Sequence, residues 1–100
     1  DAVAFGAHAG EHTNYPDCQP PFAEAMDRAA AVCDFRPLRV LAPFVHWAKA
    51  DIIRRGADLR VPFELTWSCY AGGESHCGRC STCVDRRTAF RRAGVPDPTT

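Results

Sequence analysis

Apolar positions in this chain fall into short runs, and the spacing inside each run predicts an element. Ala2-Val3-Ala4-Phe5 is continuous and stops at Gly6, the pattern of a parallel-sheet strand buried on both faces and ending in a loop. Residues 7–20 have no periodicity and predict a long loop. His8, His12 and Cys18 stand in it with Tyr15-Pro16-Asp17, and binding groups favour loops at strand ends. Pro20-Pro21 can open a helix, because the first helical position needs no N–H. Phe22, Ala25, Met26, Ala29, Ala30 and Cys33 then share one 3.6-period face, which predicts an amphipathic helix to Val32 or Cys33. Leu38 to Ala42 reads as a second strand stopped by Pro43. A second helix is expected over about Trp47 to Leu59, with Ile52, Ile53 and Leu59 inward and Gly56 weakening its end. Strand, helix, strand, helix is the alternation of an α/β fold with a parallel sheet.

Past Pro62 the pattern changes to Glu64-Leu65-Thr66-Trp67-Ser68-Cys69, a glycine-rich turn (Ala71-Gly72-Gly73) and a cysteine cluster. A last helix should begin near Ser81 or Thr82, with Thr82 and Asp85 as a capping-box variant. Val84, Ala89, Phe90 and Ala93 can face inward, and Gly94 with Pro96 ends it. The chemistry therefore divides at 63/64, into an α/β part over 1–63 and a metal-binding segment with a terminal helix over 64–100.

Composition narrows this picture. A chain of 100 residues with 46% hydrophobic content can build one small core, and cores of that size often lean on a metal, a disulfide or a partner. Twelve basic and twelve acidic residues cancel, so no global field argues for nucleic acid or an anionic membrane surface. Five arginines lie between Arg79 and Arg92 (Arg79, Arg86, Arg87, Arg91, Arg92) against one acid, Asp85, a local excess that reads as a solvated helix face or a counter-charge. No apolar run approaches the ~20 residues of a membrane span, and no basic, then apolar, leader opens the chain; the expectation is a soluble, cytoplasmic protein. Asp1 to Gly6 reads like the middle of a strand with neighbours, which predicts a preceding segment.

The strongest chemical signal is Cys77-x-x-Cys80-x-x-Cys83 with Cys69 upstream. A two-residue gap lets one tight turn aim two sulfurs at a single ion, and Gly78 can take the positive φ that turns backbone N–H groups toward thiolates. Four thiolates on zinc leave a net charge of about −2, which cations and helix N-termini stabilise. Cys83 falls in the first turn of the last helix, and Arg79, Arg86 and Arg87 are within sequence reach. Disulfides would need an oxidising compartment. An iron–sulfur run would need a fourth cysteine and a proline where Val84-Asp85-Arg86 stands. His76 as a ligand would be awkward beside Cys77. Four cysteines on zinc is the reading favoured, with Cys33 as inert packing and Cys18 in the candidate binding loop.

Two further features are weak alone. His8-Ala9-Gly10-Glu11-His12 spells the inverted zinc-peptidase signature, but it follows a strand, contains a glycine and has loop-like flanks, so both histidines read as loop residues. Lys49 opens the second helix, where ammonium and backbone N–H groups could together face phosphate.

In this order, Tyr15-Pro16-Asp17-Cys18, Lys49-Ala50-Asp51-Ile52, Leu65-Thr66-Trp67-Ser68-Cys69-Tyr70, Cys77 to Arg87 and the ending Gly94-Val95-Pro96-Asp97-Pro98-Thr99 resemble the 7-cyano-7-deazaguanine synthase family over nearly the whole chain. The resemblance implies a Rossmann-like adenine nucleotide α-hydrolase fold of which 1–63 is the C-terminal part. It implies ATP with Mg2+ and a resident zinc. It implies conversion of 7-carboxy-7-deazaguanine and ammonia to the nitrile in queuosine biosynthesis, a homodimer, and no direct nucleic-acid contact. Cys69, Cys77, Cys80 and Cys83 would be the zinc ligands, Lys49 a phosphate contact, and Tyr15 and Asp17 substrate contacts, with Trp67 as another ring for stacking. Gln19 stands where the family often has arginine. The chain holds no Ser-Gly-Gly-x-Asp-Ser loop, so this piece is not expected to hydrolyse ATP alone. The rival reading is a stand-alone zinc-ribbon-like module for RNA or protein.

Overall fold

The computed structural model describes residues 1–10 and 15–99, which form two compact units, Asp1–Lys49 and Ala50–Thr100.

The first unit is a strand–helix–strand crossover. Strands β1 (Ala2–Ala4) and β2 (Arg39–Leu41) pair in parallel with Ala2 opposite Arg39, Val3 opposite Val40 and Ala4 opposite Leu41. The Phe5 N–H donates to the Leu41 carbonyl (3.1 Å), and a separate parallel bridge joins Ala9 to Ala48. Helix α1 (Pro20–Val32) starts at the proline pair, as the first-turn argument predicts, after a single 3-10 turn over Pro16–Cys18.

The stripe α1 buries overlaps the apolar face its spacing predicts only at Ala30. Ala23 and Ala30 are buried and Asp27 half-buried, whereas Phe22, Ala25, Met26, Ala29 and Cys33 are exposed. Asp27 sets this rotation. Its carboxylate accepts from the Val40 N–H (2.9 Å) and from Arg39 Nε and Nη2 (3.0 and 3.2 Å), so the helix must turn residue 27 toward β2. Alanines on either side allow the close approach. Phe22 instead meets Phe5 edge-on, centroids 6.2 Å apart. The opening run is a strand as expected, but all three residues of β1 are exposed rather than buried, Val3 at 55%.

The second unit is built on helices α2 (Lys49–Asp58, its first residue the last of the first unit) and α3 (Ser81–Ala93). Ile53, Ala89 and Phe90 are its buried core, with Phe63, Ala93 and Val95 packed against them. The Phe63 and Phe90 rings meet edge-to-face at 5.0 Å. Leu59, expected inside, lies beyond the helix end and is 61% exposed. Gly56 sits within α2, where a Cβ would come 2.9 Å from Phe63 Cζ, so close packing is what this position requires. Gly94 closes α3 in the left-handed region (φ 70°), with Val95 N–H donating to the Phe90 carbonyl. At the other end Cys80, not Thr82, is the N-cap, and no side chain caps it; the expected capping box does not form. Val84, expected inward, is 45% exposed. Among the described residues no helix is long and apolar enough to cross a membrane.

Candidate metal centre

The cysteine segment of the second unit brings the sulfurs of Cys69, Cys77, Cys80 and Cys83 within 4.8 Å of one another. Three converge through local geometry. Gly78 takes φ 73°, as the turn requires, Cys80 caps α3, and Cys83 lies in its first turn. Cys69 arrives from a separate approach segment that follows a 3-10 turn over Phe63–Leu65. Cys69 and Cys83 are buried, Cys77 and Cys80 half-buried.

Backbone N–H groups aim at the sulfurs. Ala71 and Cys77 donate to Cys69 Sγ and Cys80 donates to Cys77 Sγ, each at 3.3 Å. The resulting electrostatics are uneven. The Thr82 hydroxyl, 3.2 Å from Cys80 Sγ, and the backbone of Tyr70 and Cys83 pull the Cys80 thiol down to about 5. The backbone N–H groups of Arg79 and Cys80 hold Cys77 below the ordinary thiol range. Burial, reinforced by the three neighbouring sulfurs, pushes Cys83 up to about 12. Four thiols this close cannot all ionise without a cation among them. A tetrahedral zinc with ~2.3 Å bonds to sulfur needs S···S edges of about 3.8 Å, which this cluster can meet by small movements. The residues fit a metal ion.

The expected counter-charges are arranged otherwise. Arg86 directs its guanidinium at Asp97, Thr66, Ser68 and the Phe63 carbonyl, and Arg87 donates to the Gly78 carbonyl, while backbone N–H groups and the Thr82 hydroxyl face the sulfurs. His76 is turned away from any ligand role. Its Nε2 accepts from the Ser68 N–H (3.3 Å), which leaves Nδ1 to donate to Thr99 Oγ1 (2.8 Å).

The first unit holds a second feature, a cleft of about 360 Å³ lined among the described residues by Ala9, Gly10, Cys18, Gln19, Pro20, Val45 and His46. It opens beyond the carboxyl ends of β1 and β2, where α/β sheets place their ligands. Cys18 brings the Tyr-Pro-Asp-Cys turn to its edge. Tyr15 and Asp17 are exposed in the same turn but outside the lining, and Lys49 is half-buried at the first position of α2. Gln19 lines the cleft while its carbonyl starts α1, accepting from Phe22 and Ala23. His46 was not singled out by spacing; a histidine just past a strand end is the only signal it gives. Of the zinc-peptidase-like string, His8 Nδ1 lies 3.1 Å from the Ala9 carbonyl, and Glu11 and His12 fall outside the described residues.

The family profile described as "Queuosine biosynthesis protein QueC" matches residues 1–94. The chain belongs to the QueC family. Among curated relatives of this QueC-family chain are proteins named 7-cyano-7-deazaguanine synthase from Brucella ovis, Brucella canis and Brucella suis, each 54% identical over 99% of the chain and 44% of the relative. The chain thus spans less than half the length of those relatives. The match takes in the α/β unit and the cysteine segment together, so both belong to one QueC sequence.

Proposed function

We propose that this chain is the zinc-bearing C-terminal part of an ATP-dependent, cytoplasmic 7-cyano-7-deazaguanine synthase with the Rossmann-like adenine nucleotide α-hydrolase fold. The family match carries the reading, and the four converging cysteines support it. The family resemblance implies the reaction course. A ring carboxylate is activated by ATP as its adenylate, ammonia displaces AMP to give the amide, and a second ATP drives loss of water from the amide to give the nitrile. Because the chain spans less than half the length of its curated relatives, we assign catalysis to the complete enzyme, in our reading a homodimer acting on the free base rather than on nucleic acid.

Within this chain, Cys69, Cys77, Cys80 and Cys83 would hold zinc, which when bound braces the segment they join. Asp17 can accept from the N–H edge of a deazaguanine, and Tyr15, 47% exposed in the same turn, can cover its ring. Lys49, at a helix start, is suited to phosphate. The cleft beside Cys18, Gln19 and His46 is large enough for part of such a base. Substrate-dependent AMP formation tests the reading. ATP turnover in the complete enzyme should require both the carboxylated deazaguanine and ammonia, and turnover indifferent to that substrate would refute it.

A further inference from the structure

Cys77, Cys80 and Cys83 converge by turn and helix geometry alone, but Cys69 has to be brought to them. A single buried side chain is placed to do this. Arg86, 4% exposed, uses all five of its N–H donors. Nε and Nη2 bind the two Asp97 oxygens (2.9 and 3.0 Å), Nη1 reaches the hydroxyls of Thr66 (2.9 Å) and Ser68 (3.3 Å), and Nη2 also reaches the Phe63 carbonyl (3.3 Å). The guanidinium lies over the Phe90 ring at 4.9 Å. Three of those groups, Phe63, Thr66 and Ser68, are the approach segment of Cys69. Arg86 itself stands three residues past Cys83, on the same helix face.

Asp97 extends the connection. It accepts from the Thr99 N–H (3.1 Å) and hydroxyl (2.9 Å), and Thr99 Oγ1 meets the ring of His76, the residue before Cys77. One buried polar cluster thus touches the chain beside Cys69, the helix bearing Cys83 and the residue preceding Cys77.

We propose that Arg86, held by Asp97, is the positioning residue that docks Cys69 onto the other three cysteines. The proposal rests on the reading of the cysteines as a metal site. Lysine would serve only in part, because its three donors on one nitrogen cannot together span a carboxylate, two hydroxyls and a carbonyl.

The test uses the complete metal-loaded protein, its metal content measured first, and then thiol alkylation by iodoacetamide resolved by residue with mass spectrometry. In Arg86→Gln, Cys69 should be labelled about tenfold faster than Cys77, Cys80 and Cys83, and zinc affinity should fall roughly 10- to 100-fold, the usual effect of losing a group outside the ligand set that orients a ligand. Arg86→Lys should fall between Arg86→Gln and the parent. A general loss of structure would expose all four cysteines alike. If Arg86→Gln fails to fold, Asp97→Asn must show the same order at smaller amplitude. Equal labelling of the four, or an unchanged pattern, overturns the proposal alone; a parent protein that binds no metal overturns the metal reading and this one with it.

Discussion

Arg86 and Asp97 have side chains only 5% and 4% exposed, and two charges so withdrawn from water are tolerable only when each is fully partnered. Removing one partner of such a pair typically costs about 3–5 kcal/mol, so Asp97→Ala should destabilise the second unit by about 3 kcal/mol in urea unfolding. The pH dependence has a definite sign. Burial pushes the Asp97 carboxyl up, but the Arg86 guanidinium and the Thr99 N–H and hydroxyl outweigh it and hold it below its ordinary value of 3.8. A carboxylate with a lowered folded pKa contributes stability above its unfolded pKa and loses it as pH falls through the folded one. Stability should therefore be insensitive to this group above about pH 5 and drop as the solution is acidified below 4, and Asp97→Asn should remove that part of the drop. A mutant whose acid limb matches the parent's would contradict this. None of it was legible in sequence. Arg86 read as one of five clustered cations, and its partner stands 11 residues on, beyond the helix end, where only the return of the chain brings it back. Cys77, Cys80 and Cys83 were legible because a two-residue spacing decides their geometry locally.

At the scale of elements, Gly56 illustrates how packing overrides propensity. An alanine in a helix interior is normally about 1 kcal/mol better than glycine. Here its Cβ would press within 2.9 Å of Phe63 Cζ, a ring fixed edge-to-face on Phe90 and packed on a core of only three buried residues. Overpacking costs about 1–3 kcal/mol. Gly56→Ala should thus lower stability by about 1 kcal/mol instead of raising it, as thermal or urea unfolding would show; a gain would mean the Phe63 ring yields freely. The same contest decided α1. Its apolar spacing favoured the face bearing Phe22 and Met26, yet the hydrogen bonds Asp27 accepts from Val40 and Arg39 fix the adjacent stripe of Ala23, Asp27 and Ala30 against β2. Element existence was readable from period and prolines. Helix rotation was not, because it depends on a partner across the sheet connection.

For the whole molecule, α/β alternation and a separate cysteine segment were both visible in the pattern, while the grouping of α2 with that segment was not. It follows from Ile53 meeting Phe90 across 37 positions of sequence, which no local signal encodes. That grouping decides what metal removal should do. The core of the second unit lies between α2, α3 and Phe63, and of the segment from 66 to 80 only Cys69 is buried. Little apolar contact holds that stretch, and its order depends on the sulfur cluster and the Arg86 hydrogen bonds. A structural zinc can contribute on the order of 10 kcal/mol to folding, more than so small a core can replace. Chelation should accordingly raise amide exchange across 66–80 by orders of magnitude and that of α2 and α3 less. The Val40 amide, tied to Asp27 in the first unit, should keep its protection. Hydrogen exchange followed by mass spectrometry checks this directly. Uniform loosening of both units would show that the ion supports the entire chain, and exchange unchanged by chelation would show that the four sulfurs need no metal to stay together.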